Sequence, residues 1–322
     1  MPTQESTPSP TALPGPTPRE VALFIVLVVA SGVASVLPAR LDPYLATSVS
    51  GLLGLLFPGR IGRIVRRMRK VMGDRLSDSE ALAAARRWQR NKIEIQLGQL
   101  RGIWRPKVHA EIEITGQDHI ERSLAKGKGV ILWVISTGGP LLYKQGLWLA
   151  GVKLVHLTSL MHGANRKSTF SVGRVVPFRR RAEDRYVAER VTIPLDGSLN
   201  YLITLKERLA ANSCVTIVGE YRGRQNVRAP LFSHFVDFAM GAPSLSSRSG
   251  ADLLTVYVER QSGGRYRMVV EEPIEVAGAD RKDFVRKAIA VFAMRLERRI
   301  EAHPELWDGW GDPPPLHSLP DG

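Results

Sequence analysis

Between Val21 and Leu37 the chain runs for seventeen residues without a charge, and Pro38 closes the run. Such a stretch enters a bilayer as an anchor, is cleaved as a signal peptide, or forms a helix buried in a protein core. It sits at the short end of the ~20 residues that a bilayer core requires. The preceding residues, Met1 to Pro18, hold six prolines among Ser and Thr and no cation. A signal peptide opens on a cationic segment, which is missing, so the anchor reading is favoured over 21–37. Residues 1–20 read as a disordered, proline-rich tail, because they bury too little apolar surface to offset their chain entropy.

The flanks orient the anchor. Glu5, Arg19 and Glu20 precede it, whereas Arg40, Arg60, Arg63, Arg66, Arg67, Arg69 and Lys70 follow. The excess of cations after the run places a single-pass anchor in the inner (cytoplasmic) membrane, with the body on the cytoplasmic face. The formal net charge of +14 also demands an anionic partner. A second apolar stretch, Leu52–Phe57, leads through Pro58 into Gly59–Met72, where Ile61, Ile64, Val65, Met68 and Met72 share one helical face. Beside an anchor, this basic amphipathic helix is expected to lie on an anionic phospholipid surface. The alternative is that its apolar stripe packs on the protein's own core. No aromatic side chain interleaves with the arginines, so a nucleic-acid partner is not expected. The single cysteine, Cys214, excludes an internal disulfide and any multi-cysteine metal site.

The body alternates strand and helix signals. Ser77 and Glu80 form a capping-box pattern ahead of a helix to about Leu100. Gly129–Ile135 is a continuous apolar run, suited to a strand buried on both faces. A helix over Pro140–Ala150 and a strand over Val152–Thr158 follow. Asp196 is placed to cap a helix carrying Leu199, Leu202, Leu205 and Leu209. Cys214–Val218 is a short strand, Leu253–Val258 and Tyr266–Val270 pair across Ser262–Gly264, and Lys282–Ala302 is an amphipathic helix. The expected fold is α/β, a mixed central sheet flanked by helices. Its sections are a membrane-proximal helical part over 38–105, an α/β domain over 106–310 and a loose tail over 311–322.

The order of blocks resembles the late lipid A acyltransferases, the lauroyl and myristoyl transferases of the lysophospholipid acyltransferase superfamily. The residues that carry the likeness are Val130-Ile131-Leu132-Trp133, Gly219-Glu220-Tyr221-Arg222-Gly223, Pro230-Leu231-Phe232-Ser233, Ser249-Gly250-Ala251 and His303-Pro304-Glu305-Leu306-Trp307. The resemblance implies acyl transfer to a lipid or glycolipid. The donor would be an acyl-carrier protein or acyl-CoA, and no bound cofactor is implied. It also implies a histidine base with an acid five residues later, because the attacking hydroxyl must lose its proton. In this register those positions hold Ser136 and Leu141. Classical catalysis is therefore expected to be altered or lost. The alternative is a non-catalytic lipid-binding or accessory membrane protein.

Among the histidines, only His303 has an acid five residues on, Asp308, in a block far along the chain from the Gly129–Ile135 strand. His156 reads as a core histidine within a strand. His162, in the polar loop Gly163-Ala164-Asn165-Arg166-Lys167, is a candidate for the same cleft as Ser136. Gly138 and Gly139 shape a tight turn whose amides can hold an anion. The candidate substrate-binding set is Gly138, Gly139, Arg166, Lys167, Glu220, Arg222 and Arg224, whose arginines suit phosphate.

Overall fold

The computed structural model describes residues 13–107, 110–159, 168–194, 198–220, 223–276 and 280–318. Four helices come first: α1 (Pro18–Val36), α2 (Asp42–Leu56), α3 (Pro58–Met72) and α4 (Asp78–Trp104). Proline stands in the first turn of α1, α2 and α3, where its missing N–H is no loss. The capping box at α4 forms: the Ser77 hydroxyl accepts from the Glu80 amide, and the Glu80 carboxylate accepts from the Ser77 amide at 2.9 Å.

The long helix α4 is the platform on which α1, α2 and α3 pack. Helix α1 is long and apolar enough to cross a membrane. Its inner side meets the body: the Trp104 indole donates to the Ser31 hydroxyl at 2.8 Å, and Phe24 stands edge-on to Phe170 and Phe178. A buried ion pair, Asp42 with Arg101, fixes the start of α2 to α4. Helix α3 corrects one expectation. Its Ile64, Met68, Val71 and Met72 are buried in the main core, so the apolar stripe is spent inside the protein. Its cations Arg60, Arg63, Arg66 and Lys70 face outward.

The body contains a seven-stranded sheet in the order β1 (Ile112–Thr115), β9 (Tyr266–Pro273), β8 (Asp252–Arg260), β2 (Val130–Val134), β5 (Cys214–Val218), β3 (Leu154–Ser159) and β4 (Glu189–Ile193). Every neighbouring pair is parallel except β8 with β9. The central strand β2 is buried at all five positions, as its unbroken apolar run requires. Helices α5 (Gln117–Ala125) and α6 (Pro140–Leu149) pack towards one face. Helices α8 (Asn200–Ala210), α9 (Gly241–Ser249) and α10 (Arg281–Ala302) belong with the core of the other, where Phe292 stacks on Trp133 at 4.1 Å. Helix α7 (Val176–Asp184) joins α4 to α6. Helix α8 begins at Asn200 with no side-chain cap, and Asp196 lies outside the described residues.

A small antiparallel sheet was not expected. It joins β6 (Asn226–Leu231), β7 (His234–Ala239) and β10 (Leu316–Ser318). Strand β10 belongs to the tail read as loose. It is held because its backbone pairs with the β7 edge and His317 bonds Asp237 at 3.0 Å.

Candidate active site

Strand β2 pairs with β5 and β8 in parallel register, so Val134 lies level with Val218 and Val256. The C-terminal ends of β2 and β5 therefore meet at one edge of the sheet, beside β8, which runs on to Arg260, and α/β folds hold ligands at such an edge. From there the chain turns sharply. The Ile135 amide still donates to Val256 O at 2.9 Å, and the Thr137 hydroxyl accepts from the Val258 amide at 2.9 Å. Gly138 and Gly139 then take φ of +71° and +78°, which only glycine adopts at low cost. A Cβ on Gly139 would stand 2.7 Å from the Ile95 side chain, so the turn is pressed against α4. Pro140 opens α6 directly after it.

Ser136 sits at the apex of this turn, partly exposed. Its backbone amide donates to both carboxylate oxygens of Glu220, at 3.0 Å each, and its hydroxyl also bonds that carboxylate. The Trp307 indole donates to Glu220 Oε1 at 3.0 Å. Burial pushes the Glu220 carboxyl up to about 7. The Ser136 and Trp307 hydrogen bonds oppose that rise, and nearby Asp308 adds to it. Glu220 nevertheless keeps part of its surface exposed. It is a carboxyl poised between protonation states at neutral pH, beside a serine hydroxyl.

A second carboxylate closes the turn. The Asp308 amide donates to Ser136 O at 2.9 Å, and its carboxylate accepts from Lys92 at 2.9 Å and from the Gly139 amide. Thr137 and Trp307 also form an isolated antiparallel bridge. Helix α4 holds this segment from behind, with the Trp88 indole donating to Trp307 O at 2.9 Å. The turn does hold anions, but they are the side chains of Glu220 and Asp308.

The structure brings Ser136, Gly138, Gly139 and Glu220 together. Arg224 stands exposed on the loop before β6. His162, Arg166, Lys167 and Arg222 lie outside the described residues. Leu141 is 8% exposed and packs with Ala182, Tyr186 and Ile103, so the acid position of the missing pair is filled by apolar contact. His156 is a satisfied core histidine, bonded to the Thr216 hydroxyl at 2.8 Å. His303 pairs with Glu305 at 3.6 Å, while Asp308 is taken by Lys92, so the spacing between His303 and Asp308 builds no dyad. The block from His303 to Asp308, far along the chain, reaches the turn after β2. Trp307, Asp308, Lys92 and Trp88 are the parts of the site that spacing could not find.

Among the described residues, no cluster of His, Cys, Asp and Glu could hold a metal ion. The sequence pattern of the family described as "Bacterial lipid A biosynthesis acyltransferase" matches residues 80–309, more than two thirds of the chain. A search of curated protein sequences returns no match. Among solved structures, the chain is similar to the 1-acyl-sn-glycerophosphate (LPA) acyltransferase PlsC from Thermotoga maritima. The identity is 15%, over 82% of this chain and 97% of that one, with a TM-score of 0.37.

Proposed function

Because the chain belongs to the bacterial lipid A biosynthesis acyltransferase family, we propose that it acts at a membrane on a lipid or glycolipid acceptor, with Glu220 in place of the absent histidine base. The single observation that carries this reading is the contact of Glu220 with Ser136, the residue at the histidine position. A base works best when its pKa lies near the operating pH, and burial places this carboxyl there. In the proposed step Glu220 takes the proton of the acceptor hydroxyl. The freed oxygen attacks the carbonyl of an acyl thioester, the C–S bond breaks, and the leaving thiolate accepts the proton from Glu220. Ser136 orients the carboxylate and is not acylated.

Membrane placement is supported by the outer faces of the first two helices. Leu23, Ile25, Val26, Val29, Val33 and Val36 of α1 are exposed, as are Leu52, Leu55 and Leu56 of α2. The outward cations of α3 lie next in the chain and suit anionic headgroups, α1 lying along the body in the cytoplasmic leaflet rather than crossing the bilayer. The helical section over 38–105 and the α/β section over 106–310 would then follow α1 in chain order.

One observation favours a non-catalytic role. The amides of Ser136 and Gly139 are occupied by the chain's own carboxylates, and Leu141 is locked in apolar packing. The deciding experiment incubates purified full-length protein with acyl-carrier protein or acyl-CoA thioesters and a glycolipid acceptor. Transfer by the wild type that disappears in Glu220→Gln supports the base assignment. Transfer unchanged in that variant removes it, and no transfer by the wild type favours the lipid-binding role.

A further inference from the structure

A groove of about 380 Å³ lies between the first turns of α1 and the segment leading into α7. Its lining is divided in character. Leu23, Phe24, Leu27 and Val175 supply apolar wall, and Arg19 and Arg179 supply two cations. Phe24 is fixed edge-on against Phe170 and Phe178, 5.5 Å from each, so the wall is rigid. Glu20 also lines the groove, but its carboxylate accepts hydrogen bonds from the hydroxyls of Ser168 and Ser171.

Neither Arg19 nor Arg179 has an acidic partner among the described residues. The Nε of Arg179 is buried without a hydrogen-bond acceptor, and desolvation draws its pKa below the usual arginine value. A guanidinium partly withdrawn from water, with no carboxylate partner among the described residues, favours an anion able to take several of its N–H donors, and phosphate has that geometry. The apolar wall asks for a hydrocarbon chain beside that anion. Leu23 is 51% exposed and neighbours Val26 one turn on at the edge of the outer face of α1, so the groove opens beside the surface assigned to lipid.

We propose that this groove binds one anionic glycerophospholipid, its phosphate between Arg19 and Arg179 and one acyl chain along Leu23, Phe24 and Leu27. The site is separate from Glu220, and rests on the proposed function only for the membrane placement of α1.

The test titrates the full chain, purified in a non-ionic detergent, with dioctanoyl phosphatidylglycerol, dioctanoyl phosphatidylcholine and inorganic phosphate. Saturable one-to-one binding of phosphatidylglycerol is expected, at least about 10-fold tighter than either comparison ligand. Arg179→Gln is expected to weaken it about 10-fold, the effect of one charge-assisted contact, while Arg179→Lys retains most of the affinity. Leu27→Trp fills the apolar wall without touching charge and is expected to weaken binding too. Arg122→Gln with Arg286→Gln, on the exposed sides of α5 and α10, should leave it unchanged. Equal affinity for phosphatidylcholine overturns the charge assignment, and equal affinity for inorganic phosphate overturns the chain assignment. A loss in this α5 and α10 variant as large as in Arg179→Gln reduces the effect to general surface charge and overturns the site. If Arg179→Gln does not fold, unchanged affinity in Leu27→Trp overturns the proposal and weakened affinity supports it. Glu220→Gln leaves lipid binding intact, so this inference and the catalytic one fail separately.

Discussion

The Ser136 amide and the Glu220 carboxylate form a two-pronged contact, with one N–H lying 3.0 Å from each carboxylate oxygen. The contact ties the turn after β2 to the end of β5 at the sheet edge. It places an ionisable group beside the residue that stands where the family's histidine is expected. The carboxyl is reached by solvent yet desolvated enough to titrate at about 7.

Replacing Glu220 by Gln is expected to lower acyl transfer by ~10²–10⁴-fold, the usual contribution of a positioned base. In the wild type, the transfer rate should rise with pH through about 7, because only the ionised carboxyl accepts a proton. Initial rates between pH 5.5 and 8.5 check both, and a flat wild-type profile would contradict the role.

The same carboxyl leaves a mark on stability. Its pKa is raised on folding, so between about 4.5 and about 7 the folded chain holds a proton that the unfolded chain has lost. Stability therefore falls as pH rises across that window. Glu220→Gln removes the penalty, so its melting temperature should exceed that of wild type at pH 8 and converge with it near pH 5. Thermal unfolding at the two pH values measures the difference.

Trp307→Phe keeps an aromatic ring in the buried position, leaves a small cavity and deletes the indole donor to Glu220 Oε1. A hydrogen bond of about 1 kcal/mol favouring the ionised form corresponds to roughly 0.7 pH unit. The midpoint of the pH–rate profile is expected to move up by about that amount, a shift that a packing defect alone would not produce.

Restoring the family pair with Ser136→His and Leu141→Glu is expected to fail. Leu141 is enclosed by Ala182, Tyr186 and Ile103, which offer a buried carboxylate no charged partner. An uncompensated carboxylate there should destabilise the fold by about 3 kcal/mol or more, readable as a drop in the denaturant midpoint.

Lys144 of α6 is fully buried and bonds Glu183 of α7, with Arg190 3.7 Å from the same carboxylate. Lys144→Met leaves Glu183 short of its nearest cation in a dry site. A loss of about 3 kcal/mol is expected in urea unfolding, without a change in slope.

Much of the architecture was legible because it is local. The uncharged run before Pro38, the Ser77–Glu80 capping box and the continuous apolar Val130–Val134 each declare an element through neighbouring residues. The α3 stripe shows the limit. Its period established a one-sided helix but not whether lipid or the protein's own core would cover Ile64 and Met68. The strands β6, β7 and β10 escaped notice because short strands draw their stability from the neighbours they pair with.

By itself the sequence determined that an apolar helix precedes a basic α/β body, and that Ser136 and Leu141 stand where a histidine and an acid are expected. Periodicity and register are properties of the chain in order, so they can be read along it. Only the tertiary structure decided that Glu220 meets Ser136, that Trp307 and Asp308 return to the turn after β2, and that Arg179 faces the start of α1. Those contacts join residues 84, 87 and more positions apart. Sheet register and helix packing bring them together, and so does the desolvation that moves the Glu220 carboxyl to about 7.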